Sequence, residues 1–404
     1  MPSPAPNSAT PTDLSESEGP IAPSDSDKSA YAAAGVDIVA GVRAVELMKE
    51  WVAKARRPEV MGGIGGFAGL FDASALAQRN HPVLATSTDG VGTKVAIAQA
   101  LDRHDTIGFD LVGMVVDDLV VCGAEPLFMT DYIACGKVDP ERIAAIVQGI
   151  AMACTEAGCA LLGGETAEHP GLLGPHEYDL AGAATGVVDR DQILGADRVR
   201  SGDVVLAMES SGLHSNGYSL IRHILDKQPS WTLDRYVPEV GRTLGDELLT
   251  PTRVYARDCL ALIGGVEIHA MSHVTGGGLA NNLARVIPDS FQVNIDRTTW
   301  HPAPIFRLIE RLGQISQSDL EATFNMGVGM VAVLPSESVD EAVRLLAERG
   351  LRSWVCGSVA SAGSRGGPPV SLFGQYAGDD PSVASTTSAK RSDTGAAALH
   401  PWDH

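Results

Sequence analysis

DRDQILGADRVRSGD, residues 189–203, divides this chain. It is polar and charged, it follows YDLAGAATGVVD (Tyr178–Asp189), which reads as a strand, and it precedes VVLAMES (Val204–Ser210), which opens another. We read it as the seam between an N-terminal unit, residues 31–195, and a C-terminal unit, residues 200–370. Before the seam, Asp37–Lys54 shows apolar residues at Ile38, Val42, Val45, Met48 and Val52, the 3.6-residue period of a helix. VLATST (Val83–Thr88) and Pro126–Ala134 read as strands, and the length of Gly108–Val121 favours a helix. Asp139 as N-cap, Pro140 in the first turn and Gly158 as stop frame another helix. After the seam, Ser215–Asp226, Val266–Val274, Leu279–Val286, Met330–Leu334, Val339–Arg349 and Trp354–Val359 are helix and strand candidates in mixed order. Elements that do not strictly alternate favour α+β over a doubly wound sheet.

Outside this body lie two compositional tails. Residues 1–30 hold six Pro and seven Ser with no aromatic residue, and residues 371–404 are similar, with Tyr376 and Trp402 able to dock; both are expected to be disordered. The 404 residues carry 50 Asp and Glu against 30 Lys and Arg, a formal charge of −20. The tails account for −6, which leaves −14 on the folded part. Such acidity argues against nucleic acid as a partner, since phosphate contacts need a basic face. No uncharged apolar run is long enough to span a membrane, and the N-terminus lacks the basic start and apolar segment of a signal peptide. The six cysteines form no C-x-x-C pair and sit beside no zinc-like His spacing, so they read as reduced thiols of a cytoplasmic protein.

The chemistry gathers at glycine-rich turns. MGGIGGFAGLF (Met61–Phe71) contains G-x-G-x-x-A, but it follows a poor strand and opens no helix; it reads as a flap over a site or a surface loop, not a dinucleotide fingerprint. In STDGVGTK (Ser87–Lys94), Gly90 and Gly92 let backbone amides approach an anion, Thr93 adds a hydroxyl and Lys94 a cation. Asp89 repels bare phosphate but can hold the Mg²⁺ that accompanies it; an ordinary Asp-Gly turn is the alternative. Asp117 and Asp118 adjoin inside an apolar helix, where buried charge is costly unless paired or metal-bound. Because neighbouring helix positions diverge by about 100°, only one should face a site. The plain alternative is one capping acid and one exposed acid. GGETAEHPG delivers Glu165 from a tight turn, SSGLHSNGYSL places His214 just before a helix that Ser215 or Asn216 can cap, and SHVTGGGLANN offers Gly276, Gly277 and Gly278 as a phosphate cradle at a helix start. Together these loops point to magnesium-nucleotide chemistry.

RRPEVMGGIGGF, STDGVGTK, DDLVVCGAEPLF, LLGGETAEHPG, SGLHSNGYSLIR, HVTGGGL and TFNMGVGM, in this order, resemble the phosphoribosylformylglycinamidine cyclo-ligases, the aminoimidazole ribonucleotide synthetase family, over Tyr31–Ala360. The resemblance implies a two-domain α+β fold, with the N-terminal half lending its sheet to a dimeric β-barrel and a C-terminal α/β-type domain beside it. It implies an enzyme of purine biosynthesis that uses ATP and Mg²⁺ to close the ring of formylglycinamidine ribonucleotide to aminoimidazole ribonucleotide, as a homodimer. Same-fold kinases or phosphate synthetases, of the thiamine-monophosphate kinase or selenophosphate synthetase type, and a non-catalytic nucleotide-binding scaffold are the alternatives. Carried over by position, Asp89 and Asp118 would hold Mg²⁺; Gly90, Gly92, Thr93, Lys94 and Glu165 would bind ATP; Lys49, Asp118 and His214 would be catalytic, with His214 moving protons or else merely ordering its loop. Gly276–Gly278 would take the ribose phosphate. The chain departs from the family in having Asp117 where Asn is usual, His169 where Met is usual, and YAAAGVDIVAG at its start.

Overall fold

Asp37 opens the first helix, α1 (Ile38–Lys54), by accepting from the Ala40 amide at 3.0 Å, as an N-cap aspartate should. The computed structural model that shows this describes residues 37–63, 66–363 and 367–378. The expected disorder of residues 1–30 and of the chain beyond residue 378 lies outside these residues, as do the two central residues of the glycine-rich flap.

The hairpin β1 (Val60–Met61) and β2 (Leu70–Phe71) precedes β3 (Pro82–Gly90), α2 (Val95–Leu101), α3 (Ile107–Val120), β4 (Glu125–Cys135), α4 (Pro140–Ala157), β5 (Ala160–Glu168) and β6 (Tyr178–Asp189). These strands form a four-stranded sheet in the order β3-β6-β4-β5, antiparallel except for the β4–β5 pair. The framed helix forms as expected: Asp139 accepts from the Arg142 amide at 3.1 Å, and Gly158 ends α4 at φ +76°. One face of the sheet is packed by α3 and α4, with α1 laid on α4. On the other face Leu84, Thr86, Thr88, Thr130 and Tyr132 are exposed, which makes this sheet a half-barrel with an open side.

The second unit runs through β7 (Val204–Glu209), α5 (Tyr218–Asp226), β8 (Tyr236–Val237), β9 (Arg242–Thr243), α6 (Leu244–Leu248), α7 (Ala256–Gly265), β10 (Ala270–His273), α8 (Gly278–Ala284), β11 (Phe291–Asp296), α9 (Pro304–Gly313), α10 (Gln317–Thr323), β12 (Val328–Leu334), α11 (Val339–Glu348), β13 (Ser353–Ser361) and β14 (Val370–Phe373). Its six-stranded sheet has the order β10-β12-β7-β13-β11-β14, with β14 added parallel to β11. β12 is buried at all seven positions, which is why it reads as a continuous apolar run and not an alternating one.

Two features at the expected boundaries differ from the sequence reading. Tyr376 is 2% exposed, packs edge-on against Trp300 and donates to Glu321 at 3.0 Å, so it belongs to the packed second unit although it lies beyond residue 370. The seam is also less detached than its polarity suggests. Leu194 is buried, its amide donates to the Cys122 carbonyl of the first unit, and the Gly195 amide donates to the His269 carbonyl of the second. A single hydrophobic core runs through both units.

Candidate functional site between the two units

The end of β3 and the loop before α5 face each other across a cleft of about 470 Å³, lined by Asp89–Thr93 on one side, Ser215–Ser219 on the other, and Asp179 between. The two loops are stitched together. Ser215 Oγ donates to the Val91 carbonyl at 2.7 Å, and the Thr93 and Ser219 hydroxyls lie 3.0 Å apart. Ser215 is thereby spent on the facing loop, and Asn216 lies against the Met114 sulfur at 3.6 Å. The cap of α5 is instead Gly217, in a left-handed conformation with no side-chain cap, which corrects the expectation that Ser215 or Asn216 would do it.

Beside this cleft lies an acid corner. Asp118, on the last turn of α3, is 43% exposed and accepts from His273 Nδ1 at 3.0 Å. Asp89 accepts from the Gly90 amide at 2.7 Å. Partial loss of water and the nearby Asp118 charge push the Asp89 carboxyl above its ordinary value. Asp117 points the other way: fully buried, it accepts the Tyr255 amide on both oxygens, at 3.0 and 3.1 Å, and holds the start of α7 to α3. Burial pushes its carboxyl up to about 7. One of the adjacent acids thus faces the site and the other caps across the joint, as their angular divergence requires. Among the described residues no group of three or more His, Cys, Asp or Glu converges to hold a metal. Mg²⁺ does not need one, since it takes one or two carboxylates and fills its octahedron with water and substrate phosphate. Two neighbouring carboxylates, one of them partly desolvated, fit such an ion.

His273 was missed at the sequence level, although its motif was singled out for its glycines. Its β10 neighbours are all buried, so it reads as a core strand residue. Its Nε2 is buried with no hydrogen-bond partner.

Lys94 turns away from the cleft, and His214 precedes α5 as expected but lies buried. Lys94 is 0% exposed: its ammonium donates to Asp110 at 2.6 Å, to the His214 carbonyl at 3.0 Å and to the Thr250 carbonyl at 2.6 Å, with the Tyr218 ring face 5.5 Å away. All three donors are used inside the protein, so Lys94 does not present a cation to the cleft. The His214 ring is 1% exposed. Its Nε2 accepts from the Ser211 amide at 3.2 Å, so the proton sits on Nδ1, which is buried with no partner. Burial holds its basicity well below the usual histidine range, so it is neutral. It sits behind the loop, and the geometry supports the ordering alternative over proton transfer. Gly329 in β12 makes room for it: a Cβ there would lie 2.1 Å from the Tyr255 hydroxyl and 2.6 Å from His214 Cε1. Asn325, in the same TFNMGVGM stretch, donates to the Gly212 carbonyl at 2.8 Å. That motif therefore supports the His214 loop from below.

Lys49 and Glu165 lie elsewhere. They line a groove of about 800 Å³ between α1, the flap and the ends of β4 and β5. Lys49 is paired to Glu46 at 2.5 Å, and Glu165 accepts the Thr166 amide at 3.0 Å. In the sheet Glu165 pairs with Tyr132, Tyr132 with Ala181 and Ala181 with Gly90, which sets Glu165 three strand spacings, about 14 Å, from the cleft loop. One chain does not bring Lys49 or Glu165 to Asp89. Asp131 also lines the groove, and burial pushes its carboxyl up to about 7 against the opposing pull of its own backbone amide. Gly276–Gly278 open α8, a helix of seven residues. Gly278 has φ +72° and stands so close to the Glu321 carbonyl that a Cβ would lie 1.7 Å from it, while a Cβ on Gly276 would lie 3.3 Å from Asn216 Oδ1. The glycine loop does reach the cleft loop, through Asn216.

The two units correspond to the two domains of the AIR synthase related proteins. Their N-terminal domain matches residues 71–188 and their C-terminal domain residues 200–366. A phosphoribosylformylglycinamidine cyclo-ligase from Geobacillus kaustophilus is 50% identical over 331 residues, 82% of this chain and 95% of that protein. The one from Carboxydothermus hydrogenoformans is 47% identical over 335 residues, 83% and 97%. The chain belongs to the phosphoribosylformylglycinamidine cyclo-ligase family. Among solved structures, a thiamine-monophosphate kinase from Stenotrophomonas maltophilia aligns with TM-score 0.61 at 21% identity, covering 85% of this chain and 98% of that one. The hydrogenase maturation protein HypE from E. coli aligns at 0.56 and 18%, covering 82% and 93%. These two share the fold alone.

Proposed function

We propose that the cleft between the units is where this cyclo-ligase spends ATP to close the ring of formylglycinamidine ribonucleotide, and that the acid corner of Asp89 and Asp118 is the observation that carries the assignment. The reaction activates an amide oxygen, a poor leaving group, by phosphorylation from ATP. The substrate's own nitrogen then attacks that carbon and phosphate departs, leaving aminoimidazole ribonucleotide and ADP. Little covalent work falls to the protein; it positions the reactants and neutralises charge.

The residues divide that labour. Asp89 and Asp118 supply oxygen ligands for Mg²⁺, which when bound offsets the charge of the ATP phosphates. His273 orients Asp118 through Nδ1, as an outer partner of a ligating carboxylate does. Gly90, Gly92 and Thr93 form the phosphate-side loop, and the Gly276–Gly278 loop beside Asn216 receives the ribose phosphate. The open face of the first sheet, with Leu84 and Tyr132 exposed, supports a homodimer closed by two such faces into a barrel. No helix among the described residues is long and apolar enough to cross a membrane, and six unpaired cysteines support a cytoplasmic setting.

Purified protein given ATP and Mg²⁺ should release ADP only when formylglycinamidine ribonucleotide is added. ADP release that needs thiamine monophosphate or selenide instead, or none with any of the three, refutes the assignment.

A further inference from the structure

The lysine of the STDGVGTK turn has no part in the cleft, yet all three of its ammonium donors are engaged. Its ammonium is held by a carboxylate, two carbonyls and an aromatic face, contributed by α3 (Asp110), the His214 loop, the turn at Thr250 and the first residue of α5 (Tyr218). Asp110 is committed through one of its two oxygens, Oδ2 being buried without a hydrogen-bond partner. Its Oδ1 accepts Lys94, the Thr252 amide at 3.0 Å and the Thr252 hydroxyl at 2.6 Å. The pair therefore ties α3 and the phosphate-side loop of the first unit to two loops of the second.

What it grips matters most. His214 has φ +61°, a conformation that costs a non-glycine residue energy and persists only where surroundings impose it. The Lys94–carbonyl bond and the Ser211–Nε2 bond are those constraints. The next residues, Ser215 to Ser219, form the far wall of the cleft. We propose that Lys94 is a positioning residue, not a phosphate ligand: with Asp110 it fixes the His214–Tyr218 backbone against the Asp89 loop and so sets the width of the cleft. The proposal rests on reading that cleft as the nucleotide site. Burial pushes the Lys94 ammonium down and the Asp110 carboxyl up, and their mutual attraction opposes both, so the clamp depends on each partner being present.

The test uses the full chain carrying Lys94→Met with Asp110→Asn. The pair removes both charges while Asn keeps an acceptor for Thr252. Calorimetry with Mg²⁺ and a non-transferable ATP analogue gives affinity, and steady-state assays give kcat and KM. The clamp predicts affinity within about threefold of wild type and kcat lower by about 10²-fold, the cost of a misplaced wall. Asp110→Asn alone, which keeps the lysine charge, should lose kcat to the same extent, with no additivity between the two changes. A tenfold loss of analogue affinity in the pair overturns the proposal, and so does an unchanged kcat. Should the pair not fold, acetylation of wild-type protein decides: Lys94 unmodified with and without the analogue supports the clamp, and Lys94 modified in either state overturns it. Asp118→Asn is the control on the cleft itself. If it leaves analogue binding intact, the nucleotide site lies elsewhere, whatever Lys94 does.

Discussion

Asp89 and Lys94 come from one eight-residue motif and end in opposite environments. Asp89 reaches the acid corner at the cleft, where two carboxylates repel and one histidine steadies the second. Lys94, five residues on, turns into the interior and meets complementary charge with every donor satisfied. The corner sets two like charges together and is partly wet, which suits the proposed cation site; the clamp is neutral overall and dry. A motif that looks like a single phosphate loop is thus half chemistry and half architecture. The division explains why a chain of such acidity handles polyanions without offering Lys94 to them.

The sharpest way to break this contrast is to cross the two regions. Asp118→Ala should cost about 10²–10³-fold in substrate-dependent ADP release, the scale of losing one preorganised charge contact, with thermal stability kept. Lys94→Met alone should do the reverse first, costing about 3–5 kcal/mol of stability because it leaves the Asp110 carboxylate buried without its partner. Melting curves and assays on the two variants check both, and equal stability losses would erase the distinction.

A smaller effect sharpens the corner. His273→Ala should weaken Mg²⁺ activation by about 10–100-fold, the usual cost of removing an outer partner of a metal ligand. His273→Asn, whose amide can donate from nearly the Nδ1 position, should recover most of it. Titrating activity against Mg²⁺ measures the difference.

The last expected effect lies outside both regions and is read in stability, not in activity. The folded Asp131 carboxyl sits at about 7, against 3.8 for the free group. Between those values the folded chain keeps a proton that the unfolded chain has lost, so this group's contribution to stability falls as pH rises through that window. Asp131→Asn removes the penalty. Its melting temperature should match wild type near pH 4 and exceed it above pH 7, as scanning calorimetry at several pH values would show.

What the sequence disclosed follows from the range of the forces involved. Asp139 announced its helix because a cap bonds to an amide three residues away, and α1 was legible from its apolar period. The adjacent pair Asp117 and Asp118 could be split between two roles from helix geometry alone, though not which acid took which. Lys94 could not be placed, because its acceptors lie 16, 120 and 156 residues away and the sequence around it is the same whether it points out or in. His273 was hidden for a related reason: its partner is 155 residues distant, and its strand neighbours are apolar or small. Lys49 was drawn to the site by resemblance and Glu165 by its glycine turn as well; on a single chain both line the other groove, and Glu165 stands three strand spacings from the cleft loop.

The strap at Leu194 and Gly195 bears on how this molecule could be cut. Its amides are bonded to Cys122 on one side and His269 on the other, while Asp117 and Tyr255, Lys94 and Thr250, and Ser215 and Val91 join the halves without it. Severing the peptide there would remove a tether from a joint that does not depend on being tethered. Each half alone would carry exposed, unmet partners for the other, so the two are better regarded as complementary pieces of one cooperative body than as modules that happen to be linked.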